Sequence, residues 1–392
     1  MIEKSEKFKA CLLLASFGDT LGFNNGMWEF NYGFDNPGPQ ISSLILWEFI
    51  SLGGINNINM KNWDASDDTI LQIATTNALI NDFNTMTKLK KNFIEEYLKS
   101  LNDLLDEKRA AGKTTINSLK ILKKSKDIND ITYNKYSGGN GAAMRSMAIG
   151  LAFNGKENRK KLITASIDSA LVTHNNAIGI MGSIVTALFT SFGIEGINPI
   201  KWCEKLIKIM DSDIIDNIMK VRDDFNQFLK DKNDYIDKWK IYHEVFKKRN
   251  RGEFLNPYSR TEFYEKHFSS HINYKKIKDY SKMGASGLDS VIIAYDSILH
   301  SILIGNNEAR EAVRMADKLN KIKDLKDTFI SWETLVIYSM LHVGDNDTTG
   351  TIAAAWFGAY QGFNGVPKNN MENLEFEKQI LDISKKLYEK FK

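Results

Sequence analysis

Two acidic segments carry the plainest chemistry in this chain. Ser66-Asp67-Asp68-Thr69 stands directly before a helical pattern at Ile70–Ile80, and Gly344-Asp345-Asn346-Asp347-Thr348-Thr349 directly before an alanine-rich one at Ile352–Tyr360. Asp, Ser and Thr are preferred caps of helix amino termini, and acids in the first turn complement the helix dipole. One carboxylate is enough for a cap, and each segment brings two. Four carboxylates with no cysteine or histidine cluster beside them make an oxygen-only donor set, which suits Mg²⁺ or Mn²⁺ rather than zinc. If the two segments meet in space, four negative charges match two divalent ions. Without metal, carboxylates held within about 4 Å of one another repel, and one of them protonates.

Three further segments could contact a ligand. In Ser137-Gly138-Gly139-Asn140-Gly141-Ala142-Ala143-Met144-Arg145, small residues lead into a helical pattern, so exposed backbone N–H groups could hold a phosphate; a plain glycine turn has the same composition. Arg145 within it could pair with a phosphate or with a buried carboxylate. Met283-Gly284-Ala285-Ser286-Gly287-Leu288-Asp289-Ser290 is a second small-residue loop ahead of a helical pattern. Thr173-His174-Asn175-Asn176 lies between two helical patterns, where His174 could face a ligand or serve as a cap.

The elements that must position these residues are helices. Apolar side chains fall at helical spacing in Phe8–Phe17 (Phe8, Cys11, Leu12, Ala15) and in Thr69–Ile80 (Ile70, Ile73, Ala74, Ala78). The same pattern marks Ala142–Phe153, Leu162–Val172, Gly179–Phe192, Ser290–Leu303 and Thr348–Phe363. No alternating run of strand type occurs, and five prolines in 392 residues disfavour many short strands and tight turns. With no Gly/Ser or Pro-rich linker, a single compact all-α domain over residues 1–392 is expected. The stretch at about 202–251, rich in Lys, Asp and Asn with spaced aromatics (Trp239, Tyr242, Phe246), reads as amphipathic surface helices.

Composition bounds the rest. Apolar residues make up 43% and charged residues 26%, the balance of a soluble globular protein, and a net charge of +3 gives no footprint for nucleic acid or an anionic membrane. Two cysteines, Cys11 and Cys203, exclude a disulfide framework and suit a reducing compartment, so a cytoplasmic protein is expected. Met1–Lys9 is too charged for a signal peptide, and no run of about 18 apolar residues is evident for a membrane span.

Taken in order, the motifs resemble the ADP-ribosylglycohydrolase family and, within it, the ADP-ribosylarginine hydrolases. The carrying segments are Gly18-Asp19-Thr20-Leu21-Gly22, Gly26-Met27-Trp28-Glu29-Phe30, Ser66–Thr69, Gly139–Arg145, Thr173-His174, Ser286–Asp289 with Ile293-Ala294-Tyr295-Asp296, and Gly344–Thr349. They span about residues 10 to 366. The resemblance implies a compact all-α fold with two Mg²⁺ ions in a central cleft, held by Ser66, Asp67, Asp68, Asp345, Asp347 and Thr348. It implies that Gly139, Asn140, Gly141 and Ala142 line the diphosphate and ribose side, with His174 beside them, and that Gly284, Ala285, Ser286, Gly287 and Asp289 close over the ligand. The chain departs from the arginine branch at Met27, where a lysine is common, and at Asn175-Asn176-Ala177, where further histidines and a proline are usual.

The expected reaction is hydrolysis of the bond between ribose C1″ and an arginine guanidino nitrogen, with an ADP-ribosylated protein as substrate and ADP-ribose as product. The general base is Asp67 or Asp68. A monomer is expected. Two alternatives stay open: hydrolysis of serine-linked or polymeric ADP-ribose, and a catalytically silent ADP-ribose-binding or structural protein, against which retention of all four acids argues.

Overall fold

A computed structural model describes residues 2–34, 40–249, 282–305 and 328–392. Among the described residues the regular structure is helical and no strand forms. A lone antiparallel bridge pairs Gly139 with Ser286. The all-α expectation holds, and the buried apolar residues form one continuous cluster running from Phe8 to Leu387.

The organising pair is α1 (Lys4–Phe23) with the helix that follows the second acidic segment. Introduced in chain order, the remaining elements that matter are α2 (Ile41–Ser51), α3 (Asp67–Ile80), α4 (Met86–Lys99), α5 (Lys113–Ser125) and α6 (Met147–Ala152). They continue with α7 (Arg159–Leu171), α8 (Ala177–Ile194), α9 (Phe225–Arg249), α10 (Asp289–Gly305), α11 (Trp332–Met340), α12 (Asn346–Gln361) and α13 (Glu377–Phe391). Helices α1 and α12 run antiparallel in backbone contact. A Cβ placed on Gly18 would sit 2.4 Å from the Gly350 carbonyl oxygen, one on Gly22 would sit 2.3 Å from that of Asn346, and one on Gly358 would meet Ala10 and Cys11 at about 2.5 Å. Only glycine permits so close a crossing. It carries Asp19 on α1 to the amino terminus of α12.

Helix α8 needs a correction to the sequence reading. Its 18 residues, with a mean hydropathy of 1.8, are long and apolar enough to cross a membrane. Here the helix is a central core element, 94% buried within the protein. Its Phe189 ring lies 5.0–5.8 Å from those of Trp202, Trp239, Tyr295 and Trp356, which joins α8 to α9, α10 and α12. The polar stretch after Trp202 is helical, at Trp202–Met210, Ile214–Met219 and α9. Of its aromatics, Phe228, Tyr235, Trp239 and Tyr242 are fully buried, so this amphipathic stretch supplies part of the core; the Phe246 side chain lies outside the described residues. Residues 250 and 251, at its expected end, lie outside the described residues.

Candidate active site

Each acidic segment does two jobs. The Ser66 side chain caps α3 by accepting from the Asp68 amide at 3.1 Å, and Asp345 caps α12, its carboxylate accepting from the Thr348 amide at 3.4 Å. Asp347 Oδ1 accepts from the same Thr348 amide at 2.9 Å, so capping uses Ser66, part of Asp345 and one oxygen of Asp347, and leaves Asp67, Asp68 and the other Asp347 oxygen to face the space between the two helix starts. The segments do meet: the Thr348 hydroxyl donates to Asp68 Oδ1 at 3.3 Å across 280 residues of chain. Asp19 aligns α3 from behind. Its buried carboxylate accepts from the Ser66 amide at 3.1 and 3.2 Å, from the Thr69 amide at 3.0 Å and, at closer range, from the Thr69 hydroxyl.

The loops around these acids are stitched by their backbones. Gly287 donates to the Gly138 carbonyl at 3.0 Å, Asn140 to that of Ala285 at 3.2 Å, and Asp345 to that of Met283 at 2.8 Å. Small residues are required there, because a Cβ on Gly344 would lie 2.0 Å from the Met283 carbonyl oxygen and one on Gly287 2.5 Å from that of Ile178. Asn140 bridges all three loops, its Nδ2 donating to Gly284 O and to Asp345 Oδ2, each at 2.9 Å. Asp289 organises its own loop by accepting from the Gly284 amide at 2.9 Å and from the Ser286 amide and hydroxyl at 2.8 and 2.6 Å.

The result is a cleft of about 210 Å³. Of the residues singled out from the sequence, Asp67, Asp68, Gly139, Asn140, Gly141, His174, Ala285, Asp345, Asp347 and Thr348 line it. Ser66, Ala142, Gly284, Ser286, Gly287 and Asp289 do not line it and act from behind. Arg145 does not line the cleft, and among the described residues it makes no hydrogen bond to a carboxylate. It is buried and donates to the carbonyls of Gly141 and Ser169 and to the Thr173 hydroxyl.

Three lining features were given no site role from the sequence. Glu29 reaches the cleft from a short turn whose neighbour Phe30 donates its amide to Gly344 O at 3.0 Å. Phe30 lines it too, and so does the start of α5, Gly112–Thr115. A signal for α5 existed in the helical spacing of Ile116, Leu119 and Leu122 after a glycine. For Glu29 and Phe30 the signal was their place in the Gly26–Phe30 segment that carries the family resemblance, to which no site role was attached.

The electrostatics are those of crowded, buried anions. Burial and then repulsion from Asp19 push Asp67 up to about 7, while a hydrogen bond from the Gly112 amide opposes. Asp345 is pushed up to about 8 by burial, with further repulsion from Glu29 and Asp68. Asp68, Asp347 and Glu29 rise well above the usual carboxylate range, first through burial and then through one another and their neighbours. Asp68 Oδ2 and Glu29 Oε2 are buried with no hydrogen-bond partner among the described residues. Among the described residues no three His, Cys, Asp or Glu side chains converge into a closed ligand set. The donor chemistry fits hard divalent cations: carboxylates and a hydroxyl from two facing helix starts, with orphaned oxygens that a cation would satisfy.

Known proteins resemble the chain along its length. The ADP-ribosylglycohydrolase family matches residues 2–392. A protein of Acanthamoeba polyphaga mimivirus, named provisionally as an ADP-ribosyl glycohydrolase, is 36% identical over 95% of this chain and 68% of its own length. The ADP-ribosylhydrolase ARH1 of Dictyostelium discoideum is 33% identical over 97% of this chain and 93% of its own. ADP-ribosylhydrolase ARH3 of Gallus gallus is 22% identical over 98% and 93%. A solved structure titled as an ADP-ribosylglycohydrolase-related protein complex shares the fold, with a TM-score of 0.56 at 15% identity, covering 100% of this chain and 99% of that one.

Proposed function

The chain belongs to the ADP-ribosylglycohydrolase family, hydrolases of ADP-ribose linkages, and from that premise we propose that it releases ADP-ribose from arginine side chains of modified proteins with the help of Mg²⁺. The observation that carries this reading is the convergence of the two acidic helix starts on one cleft, with more negative charge than the surrounding protein neutralises.

Asp67, Asp68, Asp345, Asp347 and Thr348 would hold two Mg²⁺ ions, with Ser66 behind them; Mn²⁺ meets the same oxygen donors. Bound there, the cations supply charge that orients the ribose hydroxyls and lets the surrounding acids ionise. Cleavage of an N-glycosidic bond builds positive charge on the ribose, which an ionised carboxylate near C1″ stabilises. Asp67 or Asp68 takes the proton of the attacking water as general base. The loops at Gly139–Gly141 and Ala285 hold the diphosphate and ribose side, fixed against one another by their backbone hydrogen bonds. An arginine leaving group is a planar cation, and an acidic cleft attracts it. The likeness of Gly26–Phe30, His174 and the 345–365 region to the arginine branch supports the same choice.

The test is release of ADP-ribose, with and without Mg²⁺, from proteins carrying it on arginine or on serine. The expected result is Mg²⁺-dependent release, much faster from arginine, and its loss in Asp68→Ala. Equal or faster release from serine would overturn the arginine assignment.

A further inference from the structure

A buried cation without a carboxylate hydrogen-bond partner stands directly behind the ligand-facing histidine. Arg145 is fully buried, with its guanidinium over the Tyr97 ring at 4.4 Å. Nη1 donates to Gly141 O at 2.8 Å, and Nη2 divides its two protons between Ser169 O at 2.7 Å and Thr173 Oγ1 at 2.9 Å. The Thr173 hydroxyl, fully buried, lies 2.7 Å from His174 Nδ1. Guanidinium can only donate, so Thr173 Oγ1 must accept from Arg145, and its single proton has His174 Nδ1 as its acceptor. Were the imidazole proton on Nδ1, the hydroxyl would accept twice and its own proton would be stranded without an acceptor in the interior.

The opposite edge of the ring faces the glycine loop. A Cβ on Gly141 would lie 3.2 Å from His174 Nε2, and one on Gly139 3.5 Å from it. His174 lines the cleft, and among the described residues no protein group bonds Nε2. Burial and the nearby Arg145 charge hold the imidazole down to about 3, so the ring stays neutral.

We propose that Arg145 is a positioning residue acting through Thr173: it fixes His174 as the Nε2–H tautomer, so that a neutral imidazole donates a hydrogen bond to an oxygen of the ligand in the cleft. The same guanidinium holds the Gly141 carbonyl, so ring and glycine loop are set by one group. The ligand's identity here rests on the ADP-ribose reading above; the tautomer does not.

The experiment uses the full chain labelled with ¹⁵N-histidine, without ligand, and long-range ¹H–¹⁵N correlation, with His174→Gln to assign the ring. Wild type is expected to show one tautomer with the proton on Nε2. Thr173→Ser keeps it, and Thr173→Val gains an Nδ1–H population. ADP-ribose binding by calorimetry should weaken about tenfold in Thr173→Val and stay within about twofold in Thr173→Ser, the loss of about one hydrogen bond. An Nδ1–H ring in wild type, or a Thr173→Val protein with wild-type tautomer and affinity, overturns the proposal. The wild-type spectrum decides even if Thr173→Val does not fold. No binding of ADP-ribose to wild type overturns the cleft reading instead, with the tautomer still read from the ligand-free spectrum.

Discussion

Asp67→Asn is expected to make the metal-free protein more stable, and more so as pH rises. Asp67 is buried at the start of α3, repelled by Asp19, with the Gly112 amide and the Arg145 charge opposing. Its folded-state pKa is raised from 3.8 to about 7. The folded protein therefore binds that proton more tightly than the unfolded chain, so the group costs nothing below 3.8 and its cost grows until pH passes 7. At about 1.36 kcal/mol per unit, the full cost is about 4 kcal/mol, and at pH 5 it is less than half of that. Asparagine carries no charge and can still accept from Gly112. Urea unfolding in EDTA at pH 5 and pH 8 should show the variant ahead at both, with the gap widening by about 2–3 kcal/mol between them. A gap that stays flat with pH, or a variant less stable than wild type at pH 8, would refute the reasoning that uncompensated charge strains this site.

Addition of Mg²⁺ to the wild-type protein should raise its thermal midpoint by mass action, about 2.7 kcal/mol at a hundredfold excess over the dissociation constant, and EDTA should reverse it. Differential scanning fluorimetry reads this directly, and no shift at millimolar Mg²⁺ would contradict the fit of the donor set. Gly18→Ala forces a methyl group onto the Gly350 carbonyl, so it should destabilise by at least about 2 kcal/mol in urea, whereas Gly112→Ala, with nothing near its Cβ, should stay within about 1 kcal/mol. Equal effects would refute the close crossing of α1 and α12.

The sequence made the helix starts legible because a cap is a local event: Ser66 and Asp345 bond to amides two and three residues on. The acids beyond the need for a cap, Asp67, Asp68 and Asp347, were visible for the same reason. Convergence was not local. The Thr348–Asp68 bond spans 280 residues, and nothing in either segment encodes the other's position. Asp19 was visible only as part of the Gly18–Gly22 segment, and its role depends on Thr69, fifty residues away. Helix α8 reads as apolar all round because it is surrounded, which composition alone does not separate from a span through lipid.

The glycine seam between α1 and α12 also sets when the site can exist. Gly18 and Gly350 are 332 residues apart, so α1 leaves the ribosome well before the closest partner it packs against is made. At about 5–20 residues per second that wait is roughly 17–66 seconds. During it α1 holds its apolar face and Asp19 without α12, and the acidic cleft has only one of its two walls. A growing chain of this protein is therefore unable to gather its anions early, and chaperone capture of α1 would be most consequential in that interval.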